Sequence, residues 1–238
     1  MEIINDIVGK NLKIYQDNDF FKFSLESVLL PNFVNINLRD KLILDLCTGN
    51  APIPLILSTK TTAKIYGVEL QKPVYELAKK SVVLNKKEDQ IVILNEDVKN
   101  LKNVFNGDTF DIITVNPPYF KVFEKSLKNQ NNIKANARHE NTLNLEELLV
   151  IVSYLLKNNA SFYMVHRTER LIEIIESLKN HNLTPKCLQF IHSSKNKESK
   201  LFMIKAIKNG HDGMTVMDSL YIHTEDSTYR DEIKEIFK

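Results

Sequence analysis

The stretch Leu42-Ile-Leu-Asp-Leu-Cys-Thr-Gly-Asn50 decides the fold. An apolar run with one aspartate, ending in a polar turn with a glycine, reads as a buried strand entering a loop. Residues 51–58 follow as a helix opening, with Pro52 and Pro54 in the first turn, where proline is tolerated. Working outward, residues 64–69 (KIYGVE) read as a second strand and residues 73–85 carry apolar positions at helical spacing. Residues 91–94 and 110–115 give a third and a fourth strand. A helix over 145–156, a fifth strand over 161–165 and a helix over 168–180 continue the alternation. Residues 188–192 and 201–207 close it as a strand pair. Strands alternating with helices predict an α/β fold: a mostly parallel seven-stranded sheet covered on both faces, with an antiparallel closing pair. Residues 1–40 precede this unit as an N-terminal extension, a strand over 12–16 and a helix over 25–34, so the expected domains are 1–40 and 41–238. Residues 119–144 have no apolar periodicity, and so long a stretch inside a compact domain is either functional or disordered.

At 238 residues, with 43% hydrophobic and 26% charged side chains, the chain can bury a core without metal or disulfide staples. Two cysteines, Cys47 and Cys187, are too few for a disulfide framework or a four-cysteine zinc site. No apolar run approaches the roughly 18 residues of a membrane span. The first ten residues lack an apolar signal core, so a cytoplasmic location is expected. Net charge is only +2, but its distribution is uneven. Residues 121–138 hold five basic side chains (Lys121, Lys125, Lys128, Lys134, Arg138) against Glu124. Residues 186–208 hold six lysines against Glu198, and residues 212–238 hold seven acids against three bases. Such blocks fit a polyanion-facing surface, or simply a chain rich in lysine.

In an open α/β sheet, ligands bind beyond the carboxyl ends of the strands. Four polar stations fall there: Asp45 to Ala51, Glu69, Asp97 and Asn116-Pro117-Pro118-Tyr119. Their spacings of 24, 28 and 19 residues are each about one strand–helix unit. The first loop is not a dinucleotide fingerprint, since a G-x-G-x-x-G aligned on Gly49 needs glycines where Cys47 and Pro52 stand. Gly49 still lets backbone approach a ligand closely. Glu69 is placed to accept from ribose hydroxyls, and Asp97 from an adenine amine. Singly, Asp45 could be a turn carboxylate and Asp97 a helix N-cap. At successive strand ends they favour a bound nucleoside. Asn116-Pro-Pro-Tyr119 is an ordinary turn in the plainest account. Behind a nucleoside site it becomes a device: an amide oxygen and a fixed backbone carbonyl accept both hydrogens of a planar –NH2, and Tyr119 stacks on a flat substrate.

The chain resembles, over nearly its whole length, the tRNA1(Val) adenine-37 N6-methyltransferase family. The likeness is carried by Phe23-Ser-Leu-Glu-Ser-Val-Leu-Leu30, Leu44-Asp-Leu-Cys-Thr-Gly-Asn50, Gly67-Val-Glu-Leu70, Glu96-Asp97 and Val115-Asn-Pro-Pro-Tyr119. Ala137-Arg-His-Glu140, Val165-His-Arg-Thr-Glu-Arg170 and the turn Asn209-Gly-His-Asp-Gly213 add to it. Ala51 and Glu26 depart from the family pattern, which commonly has glycine and aspartate there. The resemblance implies a Rossmann-like class I methyltransferase using S-adenosylmethionine. It places Asp45 and Gly49 along the methionine part, Glu69 on the ribose and Asp97 on the adenine amine. Asn50, Leu70, Val98 and Asn116 join the cofactor contacts, and Asn116, Pro117, Pro118 and Tyr119 hold the target base. Tyr119, Phe120, Lys121, Lys125, Arg138 and His139, with Lys195, Lys197 and Lys200, form the expected RNA side. The implied partner is the anticodon stem-loop of a tRNA; the sequence leaves the oligomeric state open, with a monomer favoured.

The same Asn-Pro-Pro-Tyr loop serves enzymes acting on other planar amines, so rRNA guanine N2, DNA adenine N6 and protein glutamine remain alternative targets. A nucleoside-binding RNA module without turnover and a nicotinamide-dependent oxidoreductase are further alternatives. The amine-holding loop argues against the first, and the failed glycine fingerprint against the second. Methyl transfer to a neutral amine needs no strong base, so His139, His166 and His192 receive no acid–base role. Cys47 is taken as a small buried residue. No metal-ligand spacing is present, and no metal is expected.

Overall fold

The computed structural model describes residues 2–7, 11–17, 24–117 and 143–236. Residues 118–142 lie outside it, and with them the expected Pro118, Tyr119, Phe120, Lys121, Lys125, Arg138 and His139. The chain opens with a hairpin of β1 (Glu2–Ile7) and β2 (Leu12–Asp17), then α1 (Glu26–Phe33). The alternating unit follows: β3 (Leu42–Leu46), α2 (Pro52–Leu57), β4 (Lys64–Glu69), α3 (Lys72–Leu84), β5 (Ile91–Asn95) and a 3-10 turn (Val98–Asn103). Then come β6 (Phe110–Val115), α4 (Leu145–Leu155), β7 (Leu156–Arg167), α5 (Leu171–Asn180), β8 (Leu183–Ser194) and β9 (Ser199–Lys208). Two short strands, β10 (Thr215–Val216) and β11 (Leu220–His223), and a last helix, α6 (Asp231–Ile236), complete the described chain.

The main sheet runs β10-β8-β9-β7-β6-β3-β4-β5, with β11 also paired to β8. Strands β3 to β7 are mutually parallel, and β9 is antiparallel to both β7 and β8. The seven expected strands are all present. The sheet nevertheless counts nine, because β10 and β11 extend the β8 edge. Stretches of two and four residues are too short to show a period of two, which is why they carried no signal. β7 is also longer than expected. Phe110 pairs with Leu156 and Ile112 with Ser161, so residues 157–160 bulge out of the ladder, with Asn159 left-handed at φ 62°.

Alternating side chains divide the core between the two faces. Ile43, Ile65 and Ile112 pack with α1, α2, α3, α6 and the β1–β2 hairpin. Leu44, Leu46, Ile113 and Val115 pack with the 3-10 turn, α4 and α5. α1 carries a buried Pro31 inside it, which removes one backbone N–H from the helix. Asn144 caps α4 through a reciprocal pair with Glu147, each side chain accepting from the other's backbone N–H at 2.9 Å.

Candidate active site at the carboxyl ends of the strands

The loop after β3 turns by three left-handed residues, Cys47 (φ 55°), Gly49 (φ 58°) and Ala51 (φ 71°). Only the middle one is a glycine, so two side chains hold a conformation that costs roughly 1–2 kcal/mol each. A Cβ at Gly49 would meet nothing within 4 Å among the described residues, which leave the space in front of the loop open.

Asp45 sits fully buried at the root of this loop. Its two oxygens accept from the hydroxyls of Thr48 and Thr114, each at 2.6 Å. Thr114 is its direct neighbour on β6 and Gly67 its neighbour on β4. Gly67 is needed there: a Cβ would lie 2.9 Å from the Thr48 hydroxyl and 2.9 Å from Ile93. Burial pushes the Asp45 carboxyl up to about 7, against the opposing pull of the two threonine bonds and with a further push from Glu69.

Glu69, at the end of β4, is 7% exposed. One oxygen accepts from the Gly49 N–H at 3.0 Å and the other from the Gln71 N–H at 2.9 Å. Burial raises its carboxyl above the usual range, and these backbone bonds oppose the rise. Asn95 ties the end of β5 to this corner, donating to the carbonyls of Glu69 and Leu70 at 2.9 Å each. Leu70 is an exposed apolar side chain beside Glu69, and Val98 is buried. Asp97 caps the 3-10 turn, accepting from the Lys99 N–H at 2.9 Å. The capping role open to it from sequence is therefore real, and its second oxygen lies 3.7 Å from the Lys99 ammonium.

Asn116 stands just past β6. Its amide nitrogen donates to the Ser27 hydroxyl of α1 at 3.0 Å, which turns the amide oxygen away from α1. Pro117 follows it, half-buried. Asn50 does not simply face the open space: its side chain donates to the Tyr15 carbonyl of β2 at 2.8 Å, so it anchors the loop to the N-terminal hairpin.

Lys195, Lys197 and Lys200 are exposed around the β8–β9 turn. Leu201 of β9 pairs with Arg167 at the end of β7, so this turn lies at the same end of the sheet as Asn116. The turn is held by His192, which faces the Lys197 carbonyl at 2.8 Å and packs on Tyr221 with ring centroids 5.0 Å apart. His166 is buried and accepts from the Arg167 N–H at 2.8 Å. Burial and the neighbouring Arg170 push its pKa down to about 4, so it is a neutral structural ring. In Cys47 the thiol is pushed up by desolvation and by the carboxylates of Glu69 and Asp45, the opposite of an activated nucleophile. Among the described residues, no group of three or more His, Cys, Asp or Glu could hold a metal ion. No described helix is long and apolar enough to cross a membrane.

Sequence reasoning gave no role to Ser27, Thr48, Thr114 or Asn95. Thr114 carried a signal, as the only hydroxyl inside the core of the apolar run 110–115. The others act through contacts 3 to 89 residues away along the chain, for which a single sequence has no mark.

This strand order, with a reversed strand inserted beside β7 and acids at successive strand ends, is the class I S-adenosylmethionine-dependent methyltransferase fold. The crystal structure of a predicted O-methyltransferase, protein Atu636 from Agrobacterium tumefaciens, superposes with a TM-score of 0.69 at 16% identity, covering 88% of this chain and 96% of that one. Geranyl diphosphate C-methyltransferase from Streptomyces coelicolor A3(2), solved with Mg2+, geranyl diphosphate and S-adenosyl-L-homocysteine, gives a TM-score of 0.57 at 9% identity, covering 77% of this chain and 76% of that one. The model of the family described as Conserved hypothetical protein 95 matches residues 25–184, and the chain belongs to that family. It is also similar to a Shewanella woodyi protein named tRNA1(Val) (adenine(37)-N6)-methyltransferase, 26% identical over 217 residues and 88% of each chain.

Proposed function

We propose that this protein transfers a methyl group from S-adenosylmethionine to the exocyclic N6 of adenine 37 in the anticodon loop of tRNA1(Val). The observation that carries the proposal is Asn116, oriented by Ser27 at the end of the strand next to the buried Asp45–Thr48–Thr114 cluster. The name and near full-length match of the Shewanella woodyi relative support the target base. The residues fit the cofactor. Glu69, pinned by two backbone N–H groups, keeps further lone pairs for ribose hydroxyls, and open space lies in front of Gly49. Exposed Leu70 and buried Val98 suit the faces of an adenine ring. Bound S-adenosylmethionine supplies an electrophilic methyl group on a cationic sulfonium.

The chain's own work is positioning and charge. The Asn116 amide oxygen and a carbonyl of the following Pro-Pro segment accept the two amine hydrogens. These bonds raise the electron density on the nitrogen and weaken the conjugation of its lone pair with the ring, which favours the tetrahedral geometry of the transition state. No side chain needs to remove a proton before attack, because the nitrogen becomes cationic on gaining the methyl group and then gives up a proton to solvent, in keeping with the neutral, buried His166. The base must leave its stack to reach this point, which costs least in a single-stranded loop. Lys195, Lys197 and Lys200 then face the flanking phosphates as point charges. Tyr119 is the proposed stacking face, and Phe120, Lys121, Lys125, Arg138 and His139 the proposed continuation of the RNA side.

The test is transfer of labelled methyl from S-adenosylmethionine to an anticodon stem-loop carrying adenine or guanine at position 37. Label on the adenine form alone supports the proposal. Equal label on both, or none on either, overturns the assigned base.

A further inference from the structure

Gln16 is the one described buried side chain that leaves a polar atom without a hydrogen-bond partner. It is 3% exposed; its Oε1 accepts from Asn5, and its Nε2 donates to nothing among the described residues. An unpaired buried donor is rare in a native fold and calls for an explanation.

Its place in the fold supplies one. β2 climbs α3 toward the carboxyl ends of the strands. Lys13 exchanges two bonds with Asn85 at the end of α3, at 2.9 and 2.6 Å. Tyr15 bonds Ser81 one turn earlier at 2.9 Å, and the Tyr15 carbonyl takes Asn50 of the β3 loop. Leu12, Ile14 and Gln16 share one face of the strand. The first two are apolar members of the core that also contains Ile53, Leu55 and Ile56 of α2. At the end of that face nearest the loop, the sequence places an amide instead.

The loop itself has few donors left. The N–H groups of Thr48, Gly49 and Ala51 are taken by Val68, Glu69 and Thr48. The acidic side chains at these strand ends are Glu69 and Asp97, with Asp45 fully buried at the root of the loop, all acceptors when ionised. They suit the cationic and hydroxyl-bearing parts of S-adenosylmethionine and repel its one anionic group, the carboxylate of its amino-acid end. We propose that Gln16 Nε2 donates to that carboxylate, making the N-terminal hairpin part of the cofactor site. The inference rests on the proposed cofactor and extends it to an element outside the β3–β6 strand ends.

The experiment is calorimetric binding of three ligands: S-adenosylhomocysteine, its analogue without the carboxylate, and its analogue without the amine. Gln16→Met removes the donor at nearly constant size. Gln16→Glu keeps an acceptor for Asn5 and replaces the donor by a carboxylate, so it serves if the first variant does not fold. Folding of each is checked by circular dichroism and thermal unfolding. The expected result is a loss of tenfold or more for S-adenosylhomocysteine and for the deaminated analogue, and less than twofold for the decarboxylated one. Equal losses for all three ligands, a loss that follows the amine, or no loss at all would overturn the assignment. Wild-type protein that binds none of the three would overturn the cofactor proposal itself, a different failure.

Discussion

Replacing Asp45 by asparagine should make the protein more stable above neutral pH, although it deletes a charge from the candidate site. The folded chain holds this carboxyl at about 7, against 3.8 in its ordinary state. At roughly 1.4 kcal/mol per pKa unit, the ionised form is about 4 kcal/mol less favourable in the fold than in the unfolded chain. The sign follows from proton binding. Between pH 4 and 7 the folded state holds the proton and the unfolded state has released it, so stability falls as pH rises and the loss is complete above 7. About 2 kcal/mol of that loss falls between pH 5.5 and 8. The asparagine side chain of the variant keeps an oxygen for a threonine hydroxyl and does not titrate. Glu69 titrates in both proteins, so the difference between them reports position 45 together with its coupling to Glu69. The assay is urea unfolding without cofactor at pH 5.5, 6.5, 7.5 and 8.5, followed by far-ultraviolet circular dichroism. Asp45→Asn should gain about 2 kcal/mol on wild type across that range. Parallel curves for the two proteins would refute the argument that burial, rather than the two threonine bonds, controls this carboxyl.

At Gly49, alanine meets no described atom within 4 Å but must adopt φ 58°; Gly49→Ala should cost about 1–2 kcal/mol in thermal unfolding. Its methyl group would project into the open space, so calorimetry should show a further loss of cofactor affinity beyond that strain. Asn116→Ala should cut kcat by about 100-fold or more with little change in cofactor Kd. Ser27→Ala, which removes one bond that orients the Asn116 amide, should cost roughly tenfold in kcat; equal losses for the two would assign the chemistry differently. Neutralising Lys195, Lys197 and Lys200 together should raise the tRNA KM. It should also flatten the salt dependence of binding by about 0.7 per lost phosphate contact in a single-stranded loop. An unchanged slope would place the RNA on other residues.

Where local pattern and burial coincide, the chain is easy to read. Residues 42–46 and 112–115 lie in the middle of the sheet with both faces covered, so their runs are almost wholly apolar and their polar exceptions, Asp45 and Thr114, face each other. Legibility fails where structure depends on distant partners. β1 has the sequence EIINDI, with only Ile7 buried among its six residues, and forms because β2 and α3 lie beside it. The bulge of 157–160 hides the start of β7 behind a polar Lys-Asn-Asn. Ala51 departs from a glycine pattern in the sequence. The left-handed backbone at 47, 49 and 51 explains that pattern physically, since each position turns the loop where a side chain is unwelcome. Gln16 gives no signal of its own, because a glutamine near a strand end is ordinary until its burial is known.

The most direct test is mass spectrometry of nucleosides and fragments from tRNA incubated with the protein and methyl-labelled S-adenosylmethionine. The account predicts labelled N6-methyladenosine in tRNA1(Val), confined to the anticodon-loop fragment containing position 37 and lost in Asn116→Ala. Label in guanosine or cytidine, or N6-methyladenosine outside that fragment, would contradict it.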